Sequence, residues 1–428
     1  MEAHFSHAIA GHPRSSILTA NLRPRSLFLL PTFYFILSKA SYFILPKVSQ
    51  TIIDPRFRNR ERQPGLDLLR AAAVIVVVIY HTGIFGFGLP HGWHRFGWVG
   101  VDLFFVLSGY LIGGQLLASL ARGHGINFPR FFSRRALRIL PAYFVVLAIY
   151  FCLPALREFP EISPFWKFLL SVQNIGLRGG TAFSHAWSLA IEDQFYLLLP
   201  LLLLLVSRWK RAGVIVPCLV VLGGLALRAF LAWRNPGDGG VSFRGFQMWI
   251  YYPTWTRLDP LVFGVGLAAI EKFRPTWWSH LMNAARWLWL PGLAAIVYGL
   301  YLSDREILTI PACVWEFPLI AFGMAALLLG AVSPRLPFRR IEVPGAAFLA
   351  SIAYSVYLSH KLVIHFVSEL CSTRHISLLS LPAHLLVEAC IYTGGAILFL
   401  TVERPFLQLR HRFAARRDTQ DGTCHSLE

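Results

Sequence analysis

Long apolar runs, separated by short polar connections, dominate this chain. Runs long enough to cross a bilayer as helices, which takes about 20 residues, occur near 66–86, 97–121, 139–156, 187–206, 213–232, 255–271, 287–303, 310–331, 346–370 and 383–402. They predict an all-α polytopic membrane protein of about ten transmembrane helices. A further apolar piece, 165–175, is too brief to cross and reads as a short re-entrant or interfacial segment. Several runs contain Pro or Gly, which neighbouring helices tolerate in lipid. No repeat of fixed period is visible, which argues against a repeat-built transporter.

The polar connections carry the topology. Basic clusters at 56–62 (RFRNRER), 134–138 (RRALR), 208–211 (RWKR), 272–274 (KFR), 335–340 (RLPFRR) and 410–417 (RHRFAARR) alternate with basic-poor connections. By the positive-inside rule these clusters are cytoplasmic. Counting ten crossings from the first cluster returns the chain to the same side at every later one. The division expected is an N-terminal extension over 1–60, a membrane domain over 61–408 and a basic to polar tail over 409–428. The stretch 28–45 is apolar but interrupted by Pro31 and Lys39. It lacks the features of a signal peptide and reads as an extra span, an interfacial helix or an upstream extension.

Composition narrows the class further. Of 428 residues, 55% are hydrophobic and 14% charged, too apolar a balance for a soluble globule. The formal charge of +18 suggests nucleic acid at first sight. Its basic residues fall in short loops between spans, so topology accounts for them and no nucleic-acid partner is expected. The six cysteines are scattered singly, with neither a metal-site spacing nor a disulfide framework.

Against this background, charges inside apolar runs stand out, because they are costly there and usually face a wet cavity or the protein interior. In LDLLRAAAVIVVVIYH, Arg70 and His81 bracket an uncharged stretch. Eleven residues turn a helix about 1100°, roughly 20° past whole turns, and raise it about 16 Å. One face therefore shows Asp67 and Arg70 near one membrane surface and His81 toward the other. Asp102 in GWVGVDLFF and Glu192 in HAWSLAIEDQFY fall at depths similar to His81, a few residues inside the outer ends of their spans. A histidine beside carboxylates is a candidate general base, since the acid orients the ring and raises its basicity. A charge cluster that merely ties helices together would use the same residue types.

At the other surface fall Arg70, the loop residues Arg134, Arg135 and Arg138, and Glu403–Arg404. Arginine forks suit phosphates, so this layer fits a nucleotide-bearing donor. For the loop arginines alone, topology signalling is the simpler account. Tyr354, Tyr357 and His360 in AYSVYLSH either line a cavity or sit as satisfied core residues. His91, His94, His185, His375 and His384 fall in loops or at span ends and carry no assignment.

The combination resembles the acyltransferase 3 family of integral-membrane O-acyltransferases, which includes bacterial O-antigen and peptidoglycan O-acetylases. The likeness runs from about residue 64 to about 406. It rests on GLDLLRA with Arg-x10-His (Arg70 to His81), GVDLFFVLSGYLI (100–112), RRALRILPAY (134–143) with its RxxR pair Arg135 and Arg138, WSLAIEDQFYLLLP (187–200), SIAYSVYLSH (351–360) and ERP (403–405). The resemblance implies transfer of an acyl group, most often acetyl from acetyl-CoA as co-substrate, to a hydroxyl of a cell-surface or exported carbohydrate such as lipopolysaccharide. It implies His81 as catalytic residue, with Arg70, Arg135 and Arg138 required. We therefore expect a multi-pass inner-membrane enzyme surrounded by lipid, without a metal. Its inner arginines would hold acyl-CoA, His81 would take the proton from the acceptor hydroxyl or carry the acyl group transiently, and Asp102 or Glu192 would orient the His81 ring. A polar cavity lined by Ser108, Tyr354 and His360 is expected between the two layers. No soluble transferase domain follows the last span, unlike some relatives, so a carbohydrate or glycolipid acceptor would reach the site unaided or through a partner protein. A secondary transporter of a small anion or sugar, using the same charges as a relay, is the alternative, and an inert scaffold in envelope assembly is a third.

Overall fold

The computed structural model describes residues 63–87, 92–209, 211–304 and 308–410. The expected N-terminal extension, with its apolar stretch 28–45, and the tail from 411 onward lie outside the described residues. Nine helices among the described residues are long and apolar enough to cross a membrane.

The bundle is built from α1 (Pro64–Ile84), α2 (Gly100–Ala121), α3 (Phe128–Cys152), α4 (Trp187–Ser207), α5 (Ala212–Arg234), α6 (Asp259–Phe273), α7 (Pro275–Ser303), α8 (Ile310–Val332), α9 (Ala346–Thr373) and α10 (Leu381–Leu398). Local signals set several starts. Pro64 opens α1, where its missing N–H costs nothing, and Asp67 in the first turn complements the helix dipole. The Asn127 side chain caps α3 by accepting from the Arg130 N–H at 2.9 Å.

The expected span over 255–271 is corrected. Its helix, α6, has 15 residues, about 22 Å at 1.5 Å per residue, so the helix alone does not cover a hydrocarbon core of about 30 Å, and the irregular segment before it makes up the rest of the passage. It begins against the middle of α2. A Cβ placed on Gly109 would lie 2.2 Å from the Leu261 carbonyl oxygen, and one on Gly264 would lie 2.2 Å from that of Val106. Small residues on both helices thus let the backbones touch.

Before α6, the chain from Phe243 to Thr256 runs through a short helical turn, a π-helical turn and a 3₁₀ turn. Non-helical backbone at such depth survives only when protein satisfies it. Here Thr256 Oγ1 donates to the Ile250 and Pro253 carbonyls, Asn174 to Tyr252, and Arg228 to Thr256. The segment 165–175 does not cross. It forms a five-residue helix, Phe165–Leu169, followed by turns that bury Gln173 and Asn174.

At the centre lie α1, α2, α8 and α9. α8 is buried over most of its length, whereas α5 turns Val214, Leu219, Leu222 and Phe230 outward, as a lipid-facing helix would.

Candidate functional site

Two cavities open along the inner face of α1, one at each end. The first, of about 260 Å³, lies around His81, and the second, of about 200 Å³, lies around Arg70. The single-helix geometry therefore delivers both residues to wet space on one face.

In the first cavity, His81 meets two other histidines. The His81 Nδ1 lies 2.9 Å from the Val77 carbonyl and 3.2 Å from the His360 Nε2. His360 in turn places its Nδ1 2.7 Å from the Tyr357 carbonyl. A carbonyl only accepts, so His360 carries its proton on Nδ1 and presents a lone pair at Nε2. His81 Nδ1 must then be the donor, to both Val77 and His360. This leaves the His81 Nε2 unprotonated, the tautomer a general base needs. His185, from the turn before α4, donates to the Leu358 carbonyl at 3.2 Å, and its ring centroid lies 4.8 Å from that of His360.

A cation completes this end. Lys361 lines the same cavity and reaches Glu158 at 2.9 Å and Ser184 at 3.0 Å. Glu158 also accepts from the Phe183 N–H at 3.0 Å, which fixes the pair in the fold. Tyr80, Trp98, Trp187, Tyr251 and Tyr252 form much of the remaining wall. Aromatic faces with a few polar groups suit an amphipathic ring such as a sugar.

The carboxylates expected beside His81 are elsewhere, and that expectation is corrected. Asp102 is fully buried, with both oxygens held by Arg257 Nη2 at 3.0 and 3.1 Å. The guanidinium of Arg257 lies 3.8 Å from the Phe317 ring centroid and also faces Trp187 and Tyr251. A buried carboxylate needs a cation more than a neutral imidazole does, so the arginine claims it. A second buried pair, Arg228–Asp259 at 2.6 Å, ties α5 to α6. Glu192 faces the other cavity, where it accepts from Ser108 and Tyr196, both at 2.8 Å.

That second cavity gathers Arg70, Arg135, Arg138, Glu192, Asp193, Ser108 and Tyr354. Arg70 bonds Asp67 at 3.2 Å, its neighbour on the same helix face. Arg135 lies over the Tyr196 ring, 5.5 Å from its centroid, and 3.5 Å from Gln115 Oε1. Tyr354 donates to the Ile139 carbonyl at 2.9 Å, joining α9 to α3. Glu403 is buried away from the cavity wall and accepts from Ser355 at 2.7 Å.

Sequence reasoning thus placed Arg70, Arg135 and Arg138 in one layer and His81 in another, and the structure gives each layer a cavity, but it missed His185, Lys361 and Glu158. His185 sits just before a span and Glu158 in a connection, with no periodicity to mark them. Lys361 had one signal, its place directly after His360 inside an apolar run. The expected polar cavity between the layers is also corrected. Ser108 and Tyr354 line the arginine cavity, while His360 is fully buried behind His81. The two cavities have Val101 and Tyr357 in common in their walls. Among the described residues, no group of three or more His, Cys, Asp or Glu is arranged to hold a metal ion.

A family profile described as an acyltransferase domain, acyltransferase 3, matches residues 63–402. Among curated proteins, the peptidoglycan O-acetyltransferase OatA of Listeria monocytogenes is 33% identical over 231 residues, 50% of this chain and 35% of the relative. The O-acetyltransferase OatA of Staphylococcus aureus is 28% identical over 332 residues, 72% of this chain and 51% of the relative. The matched region spans about half the length of these relatives or less. No solved structure matches the chain.

Proposed function

The chain belongs to the acyltransferase 3 family, and from that premise we propose that it transfers an acyl group, acetyl in the first instance, from acyl-CoA to a hydroxyl of a cell-envelope carbohydrate. The observation that carries this reading is that His81 Nδ1 faces both the Val77 carbonyl and His360 Nε2, which leaves the His81 Nε2 to take a proton in an aromatic cavity. The relatives named as peptidoglycan and other O-acetyltransferases support a wall carbohydrate as acceptor. We place the enzyme in the cytoplasmic membrane, with the arginine cavity inward as the basic clusters direct.

Arg135, Arg138 and Arg70 would hold the CoA phosphates by bidentate contacts. The acceptor hydroxyl would give its proton to His81 Nε2 as its oxygen attacks the thioester carbonyl. Lys361 lines the same cavity and would stabilise the oxyanion that forms. Collapse of the intermediate expels the CoA thiolate, which takes the proton back from His81. Glu192 would keep Tyr196, and through its ring Arg135, in place.

The test uses the purified full chain in liposomes, with acetyl-CoA and wall or lipopolysaccharide fragments. Acceptor-dependent release of CoA, with an acetylated glycan detected by mass, is the expected result. Flux of a small anion or sugar without CoA release would instead support a transporter. Mass analysis of surface polysaccharide from a deletion strain then identifies the acceptor.

A further inference from the structure

The two cavities approach each other at one place. Among the described residues, Val101 and Tyr357 are the side chains that line both. Val101 stands on α2 and is 5% exposed, and Tyr357 stands on α9 and is 6% exposed. Tyr357 is also fastened. Its hydroxyl donates to the His185 carbonyl at 2.8 Å and pairs with the Ser188 hydroxyl at 2.6 Å. The ring meets Phe104 edge-on, with centroids 6.3 Å apart. A residue held by two hydrogen bonds and an aromatic edge is a fixed wall, not a loose side chain.

Position gives this wall a consequence. The Tyr357 carbonyl accepts from His360, so Tyr357 stands one helical turn from the residue that hydrogen-bonds the proposed base His81. Val101 and Tyr357, common to both walls, stand between a CoA moiety held among Arg70, Arg135 and Arg138 and the His81 cavity.

We propose that Tyr357 and Val101 form the width filter for the acyl group, and so set which acyl donors this protein uses. The filter rests on the acyl-CoA reading given above. An opening acts on cross-section. An unbranched chain can pass end-on, whereas a branched or aromatic acyl group meets the ring and the valine at once. The filter therefore admits acetyl and excludes isobutyryl and benzoyl, whatever the chain length tolerated beyond it.

The experiment compares acetyl-, isobutyryl- and benzoyl-CoA as donors for the full chain in liposomes, with Tyr357→Ala and Val101→Ala beside the wild type. A pocket that gains or loses a methylene-sized contact changes discrimination by about 10–200-fold. The ratio of isobutyryl to acetyl transfer should accordingly rise about tenfold or more in each variant. A ratio unchanged in both overturns the filter. A second measurement is independent of catalysis. In a cysteine-free version carrying Ser108→Cys, an impermeant maleimide applied from the His81 side should label position 108 only when Tyr357→Ala is present. Equal labelling with Tyr357 in place overturns the partition. If the wild type turns over none of the three thioesters, the acyltransferase reading fails, while the labelling still decides whether Tyr357 divides the cavities.

Discussion

His81 shows how a partner reads differently in three dimensions than along the chain. The residue pattern suggested a carboxylate to orient it. The fold supplies a histidine, His360, whose own tautomer is set by a backbone carbonyl. Replacing His81 by Ala should lower acyl transfer by about 10²–10⁴-fold, the usual worth of a general base, with membrane insertion intact. Near-normal turnover by well-folded His81→Ala would end the assignment. His360→Ala should also lower kcat. Loss of the aspartate that orients a catalytic histidine costs about 10⁴-fold in serine proteases, and a neutral orienter should be worth less, on the order of 10². His360→Gln keeps an acceptor for the His81 proton and should recover part of that loss. Equal activity of the Ala and Gln variants would show that His360 only fills space.

At the scale of helices and the segments between them, close packing and buried charge do separate work. Gly109→Leu forces a side chain into the α6 backbone, and overpacking of this kind costs typically 1–3 kcal/mol. Its melting temperature in detergent should fall clearly. Gly266→Ala is the control, because a Cβ there meets nothing within 4 Å. If both variants melt alike, the α2–α6 contact is not what holds the half-length helix. The Asp102–Arg257 pair makes a sharper contrast. Removing one partner of a buried pair typically destabilises by 3–5 kcal/mol, so Asp102→Ala should yield little folded protein. Glu192→Gln, at the wall of the arginine cavity, should fold well and turn over more slowly. Full activity in folded Asp102→Ala would contradict the structural role given to that pair.

For the molecule as a whole, the separation of the two cavities is the testable property. Arg135→Ala and Arg138→Ala should raise the apparent KM for acyl-CoA, and Lys at either position should rescue only in part, since it restores charge without the fork. An unchanged KM in both Ala variants would leave the loop a role in topology alone. Cysteines placed at 70 and 81 in a cysteine-free version should react with impermeant reagents from opposite sides of the membrane, about 16 Å apart along α1. Labelling of both from one side would reject the layered arrangement.

Hydropathy alone determined that the chain is a helical membrane protein, and helical periodicity alone placed Arg70 and His81 on one face of α1. Both follow from local rules, because lipid demands that each crossing satisfy its own backbone. Spacing also brought Asp67 to Arg70. What only the tertiary structure decided is which apolar helices are neighbours. Lipid-facing and protein-facing surfaces are nearly equally apolar, so hydropathy carries little information about lateral order. His81 and His360 lie 279 residues apart in sequence, and Asp102 and Arg257 lie 155 apart. The shortness of α6, the diversion of Asp102 to Arg257 and the place of Tyr357 in the walls of both cavities all depend on that order, and no periodicity in the chain encodes it.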